Sequence, residues 1–296
     1  MKARKIVILI IVGALGLSVT GTGIYFLIRF IQGQIQSVDY SKLKDYEFED
    51  DNEALMIRYK NSQATDLSNE FNPNEMANIA IYKFKEHDFY YSKTYGQAKG
   101  MGVTQTIRAS LIKHYDDYFM ENISTSPFVK TAKRFYQSGN FIKTYNGENI
   151  LEDKADWDES SLEELSLDEH YEKWGKVLSR PLIYIISSKT VLNTSSTEVS
   201  ENGYTVHLDL SPEYSILRYV RQMTSISDIK NPIFESVHLD LTIDKTMNLT
   251  CMNVTENYSV VKIFKIDTSA TINETYTYDE EIQIPDLKTN IDYPTK

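Results

Sequence analysis

Two His-x-Asp pairs are the residues of this sequence whose types best suit chemistry at a metal ion. His207 and Asp209 lie in one alternating stretch, and His238 and Asp240 lie in another. Residues two apart on a strand share a face, so the four side chains would converge on a divalent ion if the two strands were paired. A helical stretch separates the strands along the chain, and their other face is Val and Leu. We therefore interpret the pairs as solvated strand faces and predict no metal site.

Two further segments match ligand loops only in composition. The acidic residues between 153 and 169 would attract calcium, but they lack the fixed oxygen spacing and the central glycine of a calcium loop. The glycines of 96–102 are not followed by the Lys-Ser/Thr ending of a phosphate-binding loop, and they join two predicted strands. We interpret the acidic residues as a solvated surface and the glycines as part of a bent strand pair.

No pattern for nucleophilic catalysis is present. The sequence contains no Gly-x-Ser-x-Gly, Cys251 lies in an alternating strand with no base implied beside it, and His87, His114 and His170 are isolated. We predict that the protein is not an enzyme and uses no cofactor. A hydrolase acting through dispersed carboxylates is a third-ranked hypothesis, which a cleft with converging carboxylates would favour.

Composition narrows the class of partner. The 296 residues carry 31 Lys and Arg against 42 Asp and Glu, a net charge of −11. Nucleic-acid binders need clustered cations, so we predict no nucleic-acid partner. With a single cysteine, the chain cannot form an intrachain disulfide. The lack of disulfides is more typical of a bacterial surface domain than of a eukaryotic secreted domain.

The N-terminus predicts a membrane anchor. Lys2, Arg4 and Lys5 precede an uncharged apolar stretch over 6–28, which would reach about 34 Å as a helix and cross a core of about 30 Å. The basic flank predicts that residues 1–5 lie in the cytoplasm and that the part of the chain after the apolar stretch lies outside the cell membrane. Cleavage as a signal peptide is the alternative, but the apolar run continues past the small residues at 19–23.

Beyond the predicted transmembrane helix (6–32), three segments follow. We interpret residues 33–71 as a juxtamembrane spacer, 72–284 as the extracytoplasmic domain and 285–296 as a tail. Asn72, Pro73 and Glu75 form the cap, first position and capping-box partner of a helix that opens the domain. A second helix begins after Ser166, and a third is predicted to begin at Ser211.

Most of the remaining domain reads as strands. Aromatic and β-branched runs from 89 to 123 predict two or three, and shorter ones are predicted at 134–137 and 141–145, the latter ended by the Asn146-Gly147 turn signal. The apolar run 182–186 predicts a strand buried on both faces. Alternating residues over 204–210 and 237–278 predict an antiparallel meander with one apolar face.

The C-terminal third resembles the LolA-like superfamily, which includes periplasmic lipoprotein carriers and the LppX/LprG-type lipoproteins. The resemblance rests on the order of strand (204–210), Ser-Pro-initiated helix, and the strands that contain 232–244, 256–260 and 275–279. It implies an α+β fold in which a curved antiparallel sheet, a half-barrel, carries helices on its concave side. The sequence lacks the lipobox cysteine of lipoprotein members, so a tethered receiver is expected rather than a shuttling carrier.

The resemblance implies an apolar cavity, from which we predict a membrane-anchored domain that holds a lipid, an acyl chain or a lipidated partner. The expected cavity-facing residues are Val237, Leu239, Leu241, Val254 and Phe264. If the helices fill the cavity, the same residues are ordinary core. The alternative function is an assembly subunit of a cell-envelope machine with an envelope protein as partner, similar to the nuclear-transport-factor-like domains of conjugation systems; those have a short cone-shaped sheet instead of a long meander.

Overall fold

The computed structural model describes residues 44–128, 130–180, 182–226, 230–261, 265–278 and 283–285. Within them, eleven antiparallel strands form one curved, open sheet, and four α-helices accompany it. The strands are β1 (Phe89–Gly100), β2 (Val103–His114), β3 (Asp117–Thr125), β4 (Lys130–Ser138), β5 (Phe141–Glu148), β6 (Asp156–Ser166), β7 (Ser196–Ser200), β8 (Gly203–Leu210), β9 (Lys230–Asp244), β10 (Leu249–Val261) and β11 (Lys265–Thr277). The helices are α1 (Glu53–Asn61), α2 (Pro73–Glu86), α3 (Leu167–Trp174) and α4 (Leu217–Ile226).

The strand order is β6-β5-β4-β3-β2-β1-β11-β10-β9-β8-β7. The first six strands extend from the centre toward one edge, and the last five return from the other edge to pair β11 with β1. The chain thus brings its first and last strands together in the middle of the sheet. The α+β class and the curved antiparallel sheet agree with the prediction.

The predicted transmembrane helix over 6–32 lies outside the described residues, as do most residues of the predicted C-terminal tail. None of the helices in the described part of the chain combines the length and the apolarity that a membrane span requires.

The described part of the predicted spacer, residues 44–71, packs against the domain instead of standing apart from it. Met56 and Phe71 are buried in the main hydrophobic cluster. Arg218 on α4 pairs with Asp45, with 2.8 Å between Nε and Oδ2, and the hydroxyl of Tyr171 on α3 also donates to Asp45. The folded domain therefore begins before Asn72, because the few apolar side chains of the mostly polar 44–71 segment pack into the core.

Helix α2 begins as its sequence predicts. The side chain of Asn72 accepts from the amide of Glu75 at 3.0 Å, and the carboxylate of Glu75 accepts from the amide of Asn72 at 2.9 Å. Its buried residues include Met76, Ile79 and Phe84. This helix lies across β8 and β10 and covers that half of the sheet. We call the sheet face that packs against the helices the inner face, and the opposite face the outer face.

The apolar run 182–186 is largely buried, as predicted, but it is not a strand. Its backbone is held by side-chain and loop contacts instead: the amide of Ile185 donates to the carbonyl of Ser215 at 2.8 Å. The run crosses the inner face as an irregular segment, so its apolar side chains face the sheet without joining it.

The predicted turn at Asn146-Gly147 is part of a strand, and most of the acidic residues that follow it lie on the next strand. Gly147 lies within β5 opposite Trp157 of β6. A Cβ atom at Gly147 would lie 2.7 Å from the Cβ of Ala132 and 3.2 Å from the ring of Trp157. The glycine is therefore required for close packing on the outer face, where Trp157 reaches across it, rather than for a turn.

That outer face contains a fully buried ion pair. Arg134 on β4 is 0 % exposed, and its Nε lies 2.7 Å from Oε2 of Glu121 on β3. Its guanidinium stacks on the ring of Trp157 at 4.1 Å. Burial makes the pair interdependent, because either charge alone would remain in a poorly solvated site.

Removing the arginine should therefore be costly. We expect Arg134→Met to lower the free energy of unfolding by about 3–5 kcal/mol, since Glu121 would be left buried without its cation. The matched control is Lys143→Met, which removes an exposed cation 3.5 Å from Glu164 on the neighbouring strand and should cost no more than about 1 kcal/mol. Urea denaturation of both variants measures the difference; equal losses would contradict the assigned role of burial.

Candidate functional site

Four of the five expected cavity residues lie on the inner face and are fully packed. Val237, Leu239 and Leu241 on β9 and Val254 on β10 are at most 2 % exposed and belong to the main hydrophobic cluster. Helix α2 covers this half of the sheet, so these side chains are core. Phe264 falls outside the described residues.

The inner face is less completely covered at the centre of the sheet. Ile107 on β2, Gly96 on β1 and Ile272 on β11 lie side by side in the register. Ala98 and Ala109 flank this row on the same face. Ile107, Ile272 and both alanines are partly exposed, and all but Ile107 pack against the main cluster. We call these five residues the trough.

Small side chains recess the floor of the trough. Gly96 has none, and a Cβ there would lie 3.2 Å from Cγ1 of Ile272 and 3.7 Å from Cβ of Ile107. On either side, larger inward-facing residues such as Leu111 and Tyr258 are buried. The centre of the sheet thus presents apolar groups that no side chain of the described part of the domain covers completely.

Ionisable groups lie at one end of the trough. Glu274 is opposite Thr94, whose other neighbour is Ala109. Burial raises the pKa of Glu274, although the charge of Lys176 opposes that shift. Burial lowers the pKa of Lys176 to about 8. Both groups are therefore biased toward their neutral forms.

A second acid lies deeper, on β10. Glu256 is 0 % exposed, and the hydroxyl of Tyr184 donates to its Oε1 at 2.5 Å. Burial raises the pKa of Glu256 to about 7, while hydrogen bonds from Tyr184 and Tyr219 act in the opposite direction. Its Oε2 has no hydrogen-bond partner among the described residues. Two tyrosine hydroxyls thus replace part of the hydration that this carboxyl loses.

Tyr184 also lines a cavity of about 280 Å³ between the 49–52 segment, α2 and the 180–186 segment. The volume lies just below the range of about 300–1,000 Å³ that is usual for small-molecule sites. Its wall carries both acids and bases as well as apolar groups: Glu49, Asp50, Asn52, Asn78, Ile81, Lys85, Arg180, Leu182, Tyr184, Ile185, Ile186 and Arg218. Val237, Leu239, Leu241 and Val254, the expected cavity residues that the structure describes, do not line it.

The cysteine and histidines that the sequence analysis weighed for catalysis are in unreactive surroundings. Burial raises the pKa of the Cys251 thiol, which disfavours the nucleophilic thiolate. His170 is 0 % exposed, and its Nδ1 lies 2.6 Å from the carbonyl of Lys176. His87 lies 2.9 Å from the side chain of Asn248. The absence of enzymatic activity stays a prediction.

Sequence reasoning did not find the trough or the Glu256 site. In the sequence, the glycines of 96–102 indicate a bent strand pair, and the alternating pattern of β10 alone does not mark Glu256 as an inward-facing residue. Its position two residues after Val254 is a usable signal, because a carboxylate in the apolar register of a strand must be buried.

Comparison with known proteins yields only remote structural likenesses. No protein-family model matches the chain, and no curated protein matches it. A DUF1329 family protein from Desulfovibrio piger is 11 % identical with a TM-score of 0.28, over 74 % of this chain and 95 % of that one. A LolA superfamily protein from Nitrosomonas europaea is 9 % identical, also with a TM-score of 0.28, over 74 % and 98 % of the two chains. An S-type phycobiliprotein lyase from Guillardia theta is 5 % identical with a TM-score of 0.24, over 69 % and 97 %. Likenesses this remote carry no information about function.

The environment of Glu256 predicts a pH dependence of stability. An unfolded Glu titrates near pH 4.3, so between that pH and about 7 the folded protein holds a proton that the unfolded chain has lost. Stability from this group is therefore complete below about pH 4 and falls as the pH rises toward 7, by about 4 kcal/mol in all.

Glu256→Gln should remove this dependence, because the amide stays neutral throughout. We expect the difference in unfolding free energy between pH 5 and pH 8 to shrink by about 2–3 kcal/mol relative to the parent, as measured by denaturant titration at both pH values. Glu235→Gln, at an exposed position on β9, is the control and should leave the difference unchanged. An unaltered difference in Glu256→Gln would contradict the assignment.

Proposed function

We propose that the domain is a non-catalytic binding module that holds a lipid, an acyl chain or the acyl group of a lipidated partner against the trough. The supporting observation is the partial exposure of Ala98, Ala109, Ile107 and Ile272 at the centre of the inner face, on both sides of a residue without a side chain. An inner face with apolar groups left accessible to solvent is stabilised when an apolar chain covers it.

The energetics favour an extended hydrocarbon chain as occupant. Each methylene that leaves water contributes about 0.8 kcal/mol, so covering about ten of them, roughly 8 kcal/mol, gives binding in the micromolar range before the cost of association. A narrow strip of small residues accommodates a single chain better than a bulky ring. The 280 Å³ cavity, with its charged wall, is less suited to an apolar ligand.

Polar groups at one end of the trough set the orientation of such a ligand. Next to the row that contains Ile272, a second row of cross-strand neighbours runs over the inner face. Its members, in order, are Glu274, Thr94, Ala109, Asn122 and Lys133. Glu274 and Lys133 can each interact with a polar headgroup. We infer that the hydrocarbon lies along the trough and that the head of the ligand contacts this row.

We propose further that the apolar stretch over 6–32 anchors the domain in the cell membrane, with the N-terminus in the cytoplasm and the domain outside. This location rests on the sequence: an uncharged stretch of spanning length preceded by basic residues. It would place the trough within reach of membrane lipids and lipidated envelope proteins. Fixed attachment suits a receiver of lipid better than a carrier that leaves the membrane.

An assembly subunit of an envelope machine is the alternative, and it predicts a short, cone-shaped sheet. The sheet instead has eleven strands, and its two meandering halves join where β1 pairs with β11. This long sheet favours the binding module.

Lipid binding is tested by filling the trough. We expect the purified full chain to carry co-purified lipid in native mass spectrometry and to bind a fluorescent fatty acid. Ala98→Trp and Ala109→Trp should each weaken binding at least about tenfold, because an indole that displaces two methylenes costs about 1.6 kcal/mol.

The control is Gln97→Trp, which adds the same indole on the outer face one residue away. It should bind as the parent does, and far-UV circular dichroism should show all three variants folded. An empty parent that binds no fatty acid, or equal affinities in Ala98→Trp and Gln97→Trp, would refute the trough as the site.

A further inference from the structure

The sheet brings the two His-x-Asp pairs together. Strands β8 and β9 are neighbours, with His207 directly opposite Asp240 and Asp209 directly opposite His238. All four side chains are on the outer face, where each imidazole lies opposite a carboxylate of the neighbouring strand. We call these four residues the His-Asp cluster. The interpretation of both pairs as unrelated solvated faces is therefore incomplete, because the two faces are one.

Three potential ligand residues, two histidines and an aspartate, converge within the cluster. Oδ1 of Asp240 lies 2.6 Å from Nδ1 of His207 and 2.9 Å from Nε2 of His238. The ligand atoms of these three residues are all within 4.8 Å of one another. The two imidazole rings are nearly parallel, with an interplanar angle of 17°. A metal ion can therefore be held by two nitrogens and one oxygen after small side-chain rotations.

Asp209 has a different position from the other three residues. Its Oδ1 lies 2.8 Å from Nδ1 of His238, the ring nitrogen remote from Asp240. A carboxylate that accepts from one imidazole nitrogen orients the ring and presents the other nitrogen as a ligand, which is the usual outer-shell arrangement at metal sites. The side chain of Asp209 thus fixes the ring of His238, while Asp240 and His207 complete the ligand set.

The surroundings suit a bound ion with open coordination positions. The side chains of His207, His238 and Asp240 are 28 %, 39 % and 33 % exposed, so solvent reaches the cluster. Glu198 on β7 has a carboxylate oxygen 3.7 Å from Nε2 of His207 and adds negative charge. Both strands are paired on each side within the sheet, so the backbone that carries the ligands is held in place, as a preorganised site requires.

We propose that the His-Asp cluster binds a late first-row divalent metal ion, with Zn²⁺ as the representative. Two imidazoles and a carboxylate match the ligand preference of zinc, nickel and copper, whereas calcium and magnesium take oxygen ligands. His207, His238 and Asp240 are the ligands, and Asp209 is a positioning residue. The cluster lies on the opposite face from the trough, so it forms a site of its own and does not depend on lipid binding.

The test is a Zn²⁺ titration of the metal-stripped full chain against a chromophoric chelator. We expect saturable binding of one ion per chain, and no competition from Ca²⁺ at the same concentration. His207→Gln and His238→Gln should each weaken the affinity by at least tenfold. Asp209→Asn should weaken it by about 10- to 100-fold even though it removes no ligand.

His114→Gln is the control, because it removes a histidine from the edge of the β2–β3 hairpin, far along the sheet. It should bind Zn²⁺ as the parent does, and the parent loaded with Co²⁺ should show visible absorption that His238→Gln lacks. Circular dichroism checks that the exposed-face variants are folded. The proposal is overturned if the parent shows no saturable binding below millimolar Zn²⁺, or if His207→Gln and His238→Gln bind as tightly as His114→Gln.

Discussion

The structure depends on one constraint: a single eleven-stranded sheet has a longer inner face than its helices can cover. Helix α2 and the 182–186 segment cover β8 to β10, where Val237, Leu239 and Val254 are core. Helix α3 and the 175–178 segment lie against the other half, with Leu178 held to Gln137 of β4. Between these covered halves the sheet must present small residues, accept a ligand, or leave apolar surface in water. The trough presents small residues there, and it is where we propose that a ligand lies.

The same covering explains why the inner face contains ionisable groups. Glu256 and Glu274 lie in the apolar register of β10 and β11, where carboxylates are costly to bury. Tyrosine hydroxyls and Lys176 offset part of that cost. If the inner face were only a structural core, apolar residues at these positions would be less costly to bury. The two carboxyl groups and the lysine agree better with a face that binds a ligand with a polar head. The His-Asp cluster, the proposed metal site, is on the outer face and lies two strands away from the trough.

Local patterns predicted the elements with strong end signals. The capping residues Asn72 and Ser166 each start the helix that they predict, and alternation located β8 through β11. Two predictions failed where long-range contacts decide the outcome. Gly147 is a strand residue because Trp157 needs the space that a side chain would fill, and the 182–186 run stays irregular because its partners are a buried acid and a loop carbonyl.

The candidate sites were harder to predict than the fold. The cluster of His207 and His238 requires β8 and β9 to pair across the α4 connection, which no local pattern encodes. The trough requires β11 to pair with the β1–β2 hairpin at Gly96, although that strand and the hairpin are distant in sequence. Four of the five expected cavity residues lie on the inner apolar face, as alternation predicts, but alternation does not show where a helix ends and open surface begins.

The central claim is that an acyl chain lies along the centre of the inner face. Photo-crosslinking of the full chain with a diazirine-labelled fatty acid, followed by peptide mass spectrometry, tests it most directly. The account predicts adducts at Ala98, Ile107, Ala109 or Ile272 that excess unlabelled fatty acid suppresses. Adducts confined to the outer face or to the charged cavity would contradict it.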